Sequence, residues 1–563
     1  MPRPLTVPDS SVRSETAKLL GAFYTDAQVA DFLVWWAVRG PQETVLDPSF
    51  GGGVFLRSAC KRLLALGGQP AMQIHGAEID PQVHSRIADK LTGEFGVVRE
   101  HLQRADFFSL DPGTHQVDAV VGNPPFIRYQ HFTGETRRQA LAGAARQGVP
   151  LTKLSSSWAP FLVQSSAMLK EGGRLAMVVP FELGHAAYAL PVLAYLVRSF
   201  GRVTLATFRK KLFPDLNEDT LLLLAEERGA PSSGLFWRDF SHAGELAAFG
   251  ASSEFQVPGI QPLNTAALVE GRERLIEAFL PTKARALYRE LRRLPTTRQL
   301  GELADVGIGY VTGANDYFHL GPETLRAWRI PEAFLRPAVR RGRSLTGLRF
   351  SQADWEQALS TGESGYLLQI EGEAELPESL RRYLREGQRQ GVPLAYKCRT
   401  RSPWYRVPHV YHPDAFLTYM SGHTPRLVAN EAGAVAPNSL HILRLHPETK
   451  LRPQALAVLG QTSLTQLSAE IEGHALGGGM LKVEPTEAER LLLPVPDHGN
   501  DNWGELAAEL DGLTRKKEET AACERADQAI LQDRLGLSRT DCQLLREAAG
   551  LLRERRQPRG MTS

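Results

Sequence analysis

The 563-residue chain carries 65 Lys and Arg against 63 Asp and Glu, so a polyanion can be held only by local basic patches. Its 42 % hydrophobic and 23 % charged content is that of a globular protein, and its length predicts two or three domains. There is no membrane-length apolar run, signal-peptide pattern or Cys-x-x-Cys pair, and Cys60, Cys398, Cys523 and Cys542 are scattered; a cytoplasmic protein without membrane, disulfide or metal partner is expected.

Strand-like and helix-like segments alternate as far as about Arg228. Residues 44–46, 74–77, 118–121, 174–179 and 203–208 read as strands, with a further one ending at Ala105. Residues 26–38, 54–66, 81–91, 158–169 and 190–199 read as helices. This alternation predicts an α/β domain with a doubly wound, mostly parallel sheet. Residues 220–225 would add a last strand, antiparallel and at the edge. Residues 131–157, with Arg137, Arg138, Arg146 and Lys153 against Glu135, read either as a flap over the active face or as a solvated loop. Mixed short elements follow, then a polar linker at 497–502, then a charged helical stretch from Glu505 to Arg556, broken at Gly536 and Leu537. The expected domains are 1–230, 231–496 and 497–563.

Chemistry concentrates at strand ends. Leu46-Asp47-Pro48-Ser49-Phe50-Gly51-Gly52-Gly53 follows the first strand, where glycines permit a tight turn and close approach to a ligand. The spacing fits neither a nicotinamide loop nor a phosphate-binding loop, and Asp47 at its mouth would attract a cation. Glu78-Ile79-Asp80 ends the second strand. Glu78 lies where ribose hydroxyls are gripped in doubly wound folds, while Asp80 before Pro81 reads as a helix cap. After the third strand, Asp106 can accept from an adenine amino group and Phe107 can cover the ring face. Three strand-end carboxylates without a basic cradle suit a sulfonium-bearing nucleoside such as S-adenosylmethionine better than a pyrophosphate.

Asn123-Pro124-Pro125-Phe126 ends the fourth strand. Two prolines fix two φ angles and remove two donors. The Asn123 side chain and the Pro124 carbonyl can then both accept from a planar ring bearing an amino group, with Phe126 as an exposed plate beside it. The alternative is an ordinary turn with Phe126 in the core.

In this order the motifs resemble those of the gamma-class amino-methyltransferases of DNA, the TaqI-like adenine-N6 enzymes of restriction–modification systems. Ala22-Phe23-Tyr24-Thr25 matches the family's N-terminal cofactor segment. Asp47 to Gly53, Glu78, Asp106 and Asn123 to Phe126 match the next motifs. Residues 158–169, Gly172-Gly173 and 174–180 match the following pair, and Phe213-Pro214 falls at a second base-contacting aromatic. The resemblance covers about the first 230 residues. The family often has Tyr in the Phe126 position; stacking needs only a ring.

What the resemblance implies is a seven-stranded Rossmann-like S-adenosylmethionine-dependent domain, followed by a mixed α+β target-recognition domain and a helical C-terminal segment. It implies cofactor contacts from Tyr24, Thr25, Asp47, Pro48, Gly51 and Gly53, and further ones from Glu78, Ile79, Asp106, Phe107, Asn123 and Phe161. It implies a catalytic group of Asn123, Pro124, Pro125 and Phe126, with Phe126 and Phe213 stacking on a base flipped out of double-stranded DNA. Residues 309–316, 397–408 and 477–482 look similar to target-recognition regions. Two basic clusters are available there: Arg336, Arg340, Arg341 and Arg343; and Lys397, Arg399, Arg401 and Arg406, interleaved with Trp404. The second is the expected DNA contact.

Other readings stand beside this one. Cytosine-N4 methylation uses the same amino chemistry, although that group more often has Ser in the Asn123 position. RNA or protein-glutamine methylation shares the tetrapeptide, but those enzymes are usually compact. A non-catalytic DNA-binding protein would not need the full ligand set. A separate restriction endonuclease is a candidate partner. No attached nuclease is expected, because only a short leader precedes Ala22.

Overall fold

Apolar runs bounded by Gly and Pro build the first half of the computed structural model. It describes residues 25–557 except 115, 185, 214–218, 250–254, 372–374, 477–478 and 497–502. One compact unit ends at Ala278 and a second begins at Phe279.

In the first unit, β1 (Val45–Asp47), β2 (Ile74–Glu78), β3 (Leu102–Arg104), β4 (Val117–Gly122) and β5 (Leu169–Pro180) pair in parallel. Val45, Ala119, Val120 and Val121 have no exposed surface, as a parallel strand covered on both faces requires. The helices α1 (Ala27–Ala37), α2 (Val54–Leu66), α3 (Pro81–Phe95), α4 (Gly134–Arg146), α5 (Trp158–Ala167) and α6 (Leu190–Ser199) alternate with these strands. The alternation continues through β6 (Phe200–Phe208) and β7 (Thr220–Arg228).

The sheet has nine strands in the order β3-β2-β1-β4-β5-β7-β6-β8-β9, rather than the expected seven. β7 is antiparallel to both β5 and β6, so it is an interior strand and not the edge. The outer side of β6 would leave backbone donors and acceptors unpaired. β8 (Leu235–Phe240) covers it in parallel, from Val203 against Leu235 to Phe208 against Phe240. β9 (Gln261–Pro262) then pairs with β8. These additions carry the first unit past the expected boundary at 230.

β1 lies between β2 and β4, so strand order reverses there. The carboxyl ends of β1 and β4 flank this switch point, where doubly wound sheets leave a crevice. Asp47 and the residue after Gly122 stand on its two sides.

In the second unit a five-stranded sheet runs in the order Ala304–Ile308, His441–Leu445, Ala415–Leu417, Leu427–Asn430, Arg349–Phe350. The helices α7 (Ser463–Glu472), α8 (Trp503–Arg515), α9 (Glu519–Ala526) and α10 (Arg539–Arg556) also belong to this unit. Leu303, Leu443, Leu456, Leu506, Leu510 and Ile530 belong to one apolar cluster. Buried Glu470 on α7 also accepts from Arg553 and Arg556 of α10. The C-terminal helices therefore belong to this body instead of forming the separate segment 497–563. The expected linker at 497–502 lies outside the described residues.

Candidate active site

β1 delivers Asp47 into the crevice with only 1 % of its surface exposed. Its Oδ1 accepts from the Ser49 amide at 3.1 Å, while Oδ2 is buried without a hydrogen-bond partner. Burial, with the nearby Glu78 charge, pushes its pKa up to about 8. A Cβ on Gly122 would stand 3.0 Å from Asp47 Oδ1, so the end of β4 must be small. The turn after Asp47 uses Gly51 at φ +46° and Gly53 at φ +76°; a Cβ at Gly53 would meet Ile87 Cγ2 at 2.6 Å. Glycine there lets α2 start against α3.

Glu78 reaches across to this turn. Its Oε2 accepts from the Gly51 amide at 2.9 Å and its Oε1 from the Asp80 amide at 2.9 Å. Asp80 caps α3 by accepting from the amides of Gln82 and Val83, the role its place before Pro81 predicts. Ile79 between them is 62 % exposed, an apolar side chain presented at a strand end.

Asp106 accepts from the Phe108 amide through Oδ1 at 3.0 Å and from the Thr136 hydroxyl through Oδ2 at 2.6 Å. Thr136 lies on α4, inside the stretch read as a flap or loop. That stretch instead contains a 13-residue helix tied to the third strand end. Phe107 and Phe161, both expected at the adenine, are buried together with ring centroids 4.6 Å apart.

Asn123 donates through Nδ2 to the Thr25 hydroxyl at 3.2 Å. Its Oδ1 is buried and has no partner. Pro125 and Ile127 are pinned by Ser157, whose hydroxyl donates to the Pro125 carbonyl and accepts from the Ile127 amide at 2.8 Å. The Ser157 amide also donates to the Ile127 carbonyl at 3.0 Å. Ser157 is buried and does not cap α5, although it directly precedes that helix. Neither Ser157 nor Thr136 was expected from sequence. The signal available was a backbone demand: the carbonyl and amide flanking buried Phe126 need partners.

Phe126 is 8 % exposed and thus buried, not the exposed plate expected. An apolar ring at a strand end gains by packing when no base covers it. Phe213 is half-buried, and residues 214–218 lie outside the described set, as does Tyr24.

The expected DNA cluster of the second unit divides. Lys397 and Arg399 are exposed beside the Tyr396 ring, with Nζ and Cζ at 5.5 and 5.4 Å from its centroid. Arg401 is instead a structural clamp, donating to the carbonyls of Thr312 at 2.8 Å and of Val311. Trp404 packs on Tyr317 and Phe318, with centroids at 5.6 and 6.2 Å, as part of an apolar cluster. A half-buried indole among aromatics is packing, not a free docking surface. Arg406 is half-buried. In the other basic cluster, Arg340 pairs with Asp316 and Arg343 with Glu363. Gly479 binds Arg556 through its carbonyl, and Gly477 and Gly478 lie outside the described residues.

Among the described residues, no helix is long and apolar enough to cross a membrane. No group of three His, Cys, Asp or Glu side chains that could hold a metal ion is found among them either.

Residues 10–183 match the family model of N-6 DNA methylases. Residues 272–531 match the C-terminal domain of the Type II methyltransferase M.Eco57I. Type II methyltransferase M.AccI of Acinetobacter calcoaceticus is 20 % identical over 504 residues, 86 % of this chain and 87 % of that protein. Type II methyltransferase M.XamI of Xanthomonas campestris pv. amaranthicola is 22 % identical over 494 residues, 84 % of this chain and 85 % of that protein. Of the solved structures, a chain of the DrdV–DNA complex superposes with a TM-score of 0.51 at 12 % identity, covering 89 % of this chain and 58 % of that one. That likeness is one of fold. The two family matches, in this order along the chain, place the protein among the N6-adenine DNA methyltransferases of restriction–modification systems.

Proposed function

We propose that the chain is a gamma-class enzyme that methylates N6 of adenine at specific sites in double-stranded DNA, with S-adenosylmethionine as methyl donor. The observation that carries this reading is Asn123 Oδ1, a buried acceptor without a partner on a loop stiffened by two prolines. Leaving such an acceptor unsatisfied costs about 1–3 kcal/mol, so the loop is built for a donor that arrives. The exocyclic amino group of a base supplies one.

The crevice fits a cationic nucleoside cofactor. Among the described residues Asp47 Oδ2 has no hydrogen-bond partner, and Asp47 lies close enough to Glu78 for their charges to repel. Asp47 would hold the ammonium of the methionine end and Glu78 the ribose, while exposed Ile79 and the Phe107–Phe161 pair would border the adenine. When bound, the cofactor supplies an electrophilic methyl group on sulfur.

The chain's own residues do the rest by positioning and charge stabilisation. Thr25 accepts from the Asn123 amide nitrogen and so fixes the side chain, with Oδ1 left free to accept. Oδ1 and the Pro124 carbonyl accept from the two N6 hydrogens, draw nitrogen toward tetrahedral geometry and stabilise its developing positive charge. With the methyl group passed from sulfur to N6, the nitrogen would give a proton to solvent. Phe126 would turn a face to the target base, with Phe213 opposite. A base inside a duplex cannot reach this loop, so it must be flipped out; DNA methyltransferases are among the established cases. We place the protein in the cytoplasm, on the nucleoid when bound to DNA, with a separate restriction endonuclease as its counterpart.

Purified protein, S-adenosylmethionine and unmethylated genomic DNA test this reading. After digestion to nucleosides, mass spectrometry should find N6-methyladenine. N4-methylcytosine would keep the mechanism and change the base. No methylated nucleoside, despite cofactor binding, would remove DNA from the reading.

A further inference from the structure

The turn between Gly391 and Arg399 of the second unit exposes what a folded protein normally hides. Leu394 is 79 % exposed and Tyr396, two residues on, is 65 % exposed. Burying a side chain of this size is worth about 1.5–3 kcal/mol, so leaving both in water needs a reason. The cations around them differ from their neighbours. On the preceding helix (Glu378–Arg389), Arg381 and Arg385 pair with Glu378 and Arg389 with Glu386. Lys397 and Arg399 have no carboxylate partner among the described residues, and both lie against the Tyr396 ring.

This turn is held rigidly. Buried Cys398 donates through Sγ to the Thr312 carbonyl at 3.6 Å, and Arg401 grips the carbonyls of Thr312 and Val311. Gly313 sits at φ +84°, where a Cβ would meet Lys397 Cβ at 2.7 Å. The loop at 309–316 and the stretch at 397–408, both similar to target-recognition regions, are thus fastened to each other, and the turn carrying Leu394 and Tyr396 leads directly into the second. The loop at 309–316 is the base and the turn at 391–399 is what it presents.

Resting on the DNA-methyltransferase reading, we propose that Leu394 and Tyr396 form an apolar wedge that packs against the bases of duplex DNA, while Lys397 and Arg399 hold the flanking phosphates. Duplex DNA offers the matching chemistry: flat apolar faces between two lines of anions. Apolar side chains set against base steps beside basic residues are a known way of gripping and deforming a duplex.

The test uses full-length protein and a fluorescein-labelled mixed-sequence duplex, with affinity measured across a salt series. Leu394→Ala combined with Tyr396→Ala should weaken binding on the order of tenfold, with an unchanged salt slope. Lys397→Ala and Arg399→Ala should each flatten the slope of log affinity against log salt by roughly 0.9. Tyr396→Phe should retain wild-type affinity, because the ring and not the hydroxyl makes the contact. All these side chains are exposed, so melting temperature and S-adenosylmethionine affinity should stay at wild-type values. Wild-type affinity and slope in the double-alanine variant would overturn the wedge. So would loss of the salt slope in that variant, since it would make the contact one of charge alone. Failure of the wild-type protein to bind duplex DNA at all would instead strike the functional reading beneath it.

Discussion

Ser157 holds Pro125 from behind: its hydroxyl donates to the Pro125 carbonyl and accepts from the Ile127 amide. Pro125 follows the end of β4 and Ser157 directly precedes α5, so the bond closes the β4–β5 connection on itself. Their bond fixes the backbone on both sides of Phe126 and leaves the neighbouring Pro124 carbonyl in a set direction. Ser157→Ala removes both bonds. It should lower kcat on the order of a hundredfold, the cost of a reacting group misplaced by about an ångström. S-adenosylmethionine affinity should change little, and Ser157→Thr should restore part of the rate. Single-turnover methylation beside cofactor titration checks the split; equal losses in both would make Ser157 a general structural residue.

Asn123→Ala removes the unpartnered Oδ1. Loss of one preorganised hydrogen-bonding group at the reacting atom costs about 10²–10³ in rate, and here the group also orients the nucleophile. Turnover should therefore fall at least that far, with cofactor affinity close to wild type. Normal turnover in this variant would falsify the proposed role of the loop.

The raised pKa of Asp47 gives a pH signature. Its folded value of about 8 exceeds the ordinary carboxylate value of 3.8, so the free protein binds more protons than the unfolded chain between those limits. Stability of the free protein should accordingly fall as pH rises through that window. A cation bound at Asp47 favours the ionised form. Cofactor affinity should thus increase from about pH 6 to about pH 8 as the proton competes less. Calorimetric titration should also show proton release on binding. Asp47→Asn should abolish the rise, and an unchanged pH profile in that variant would assign the dependence to another group.

Trp404 supplies a control in the second unit. It packs on Tyr317 and Phe318 inside an apolar cluster. Trp404→Ala should destabilise that unit by about 2 kcal/mol, below the range for a fully buried aromatic because the indole is half-exposed. DNA affinity of the fraction that remains folded should stay near wild type. Chemical denaturation followed by binding at low temperature separates the two effects.

The candidate site was legible wherever its logic is local. The alternation of β1 to β5 with α1, α2, α3 and α5 follows from apolar periodicity. The Asp80 cap follows from Asp before Pro, and strand-end placement of Asp47, Glu78, Asp106 and Asn123 follows from the strands themselves. The expectations that failed depend on distant partners. Phe126 is buried by what packs around it, and Arg401 is occupied by carbonyls almost ninety residues away along the chain.

By itself, then, the sequence determined the catalytic half's strand-and-helix alternation and which chemical groups stand at the strand ends, because both depend on neighbouring residues and their turn chemistry. Only the tertiary structure decided that β7 runs inside a nine-stranded sheet, that Ser157 and Thr136 brace the Pro125 and Asp106 positions, and that Leu394 and Tyr396 stay in water. Those outcomes are set by long-range packing and hydrogen-bond satisfaction, in which each buried group takes whichever partner the folded chain brings to it.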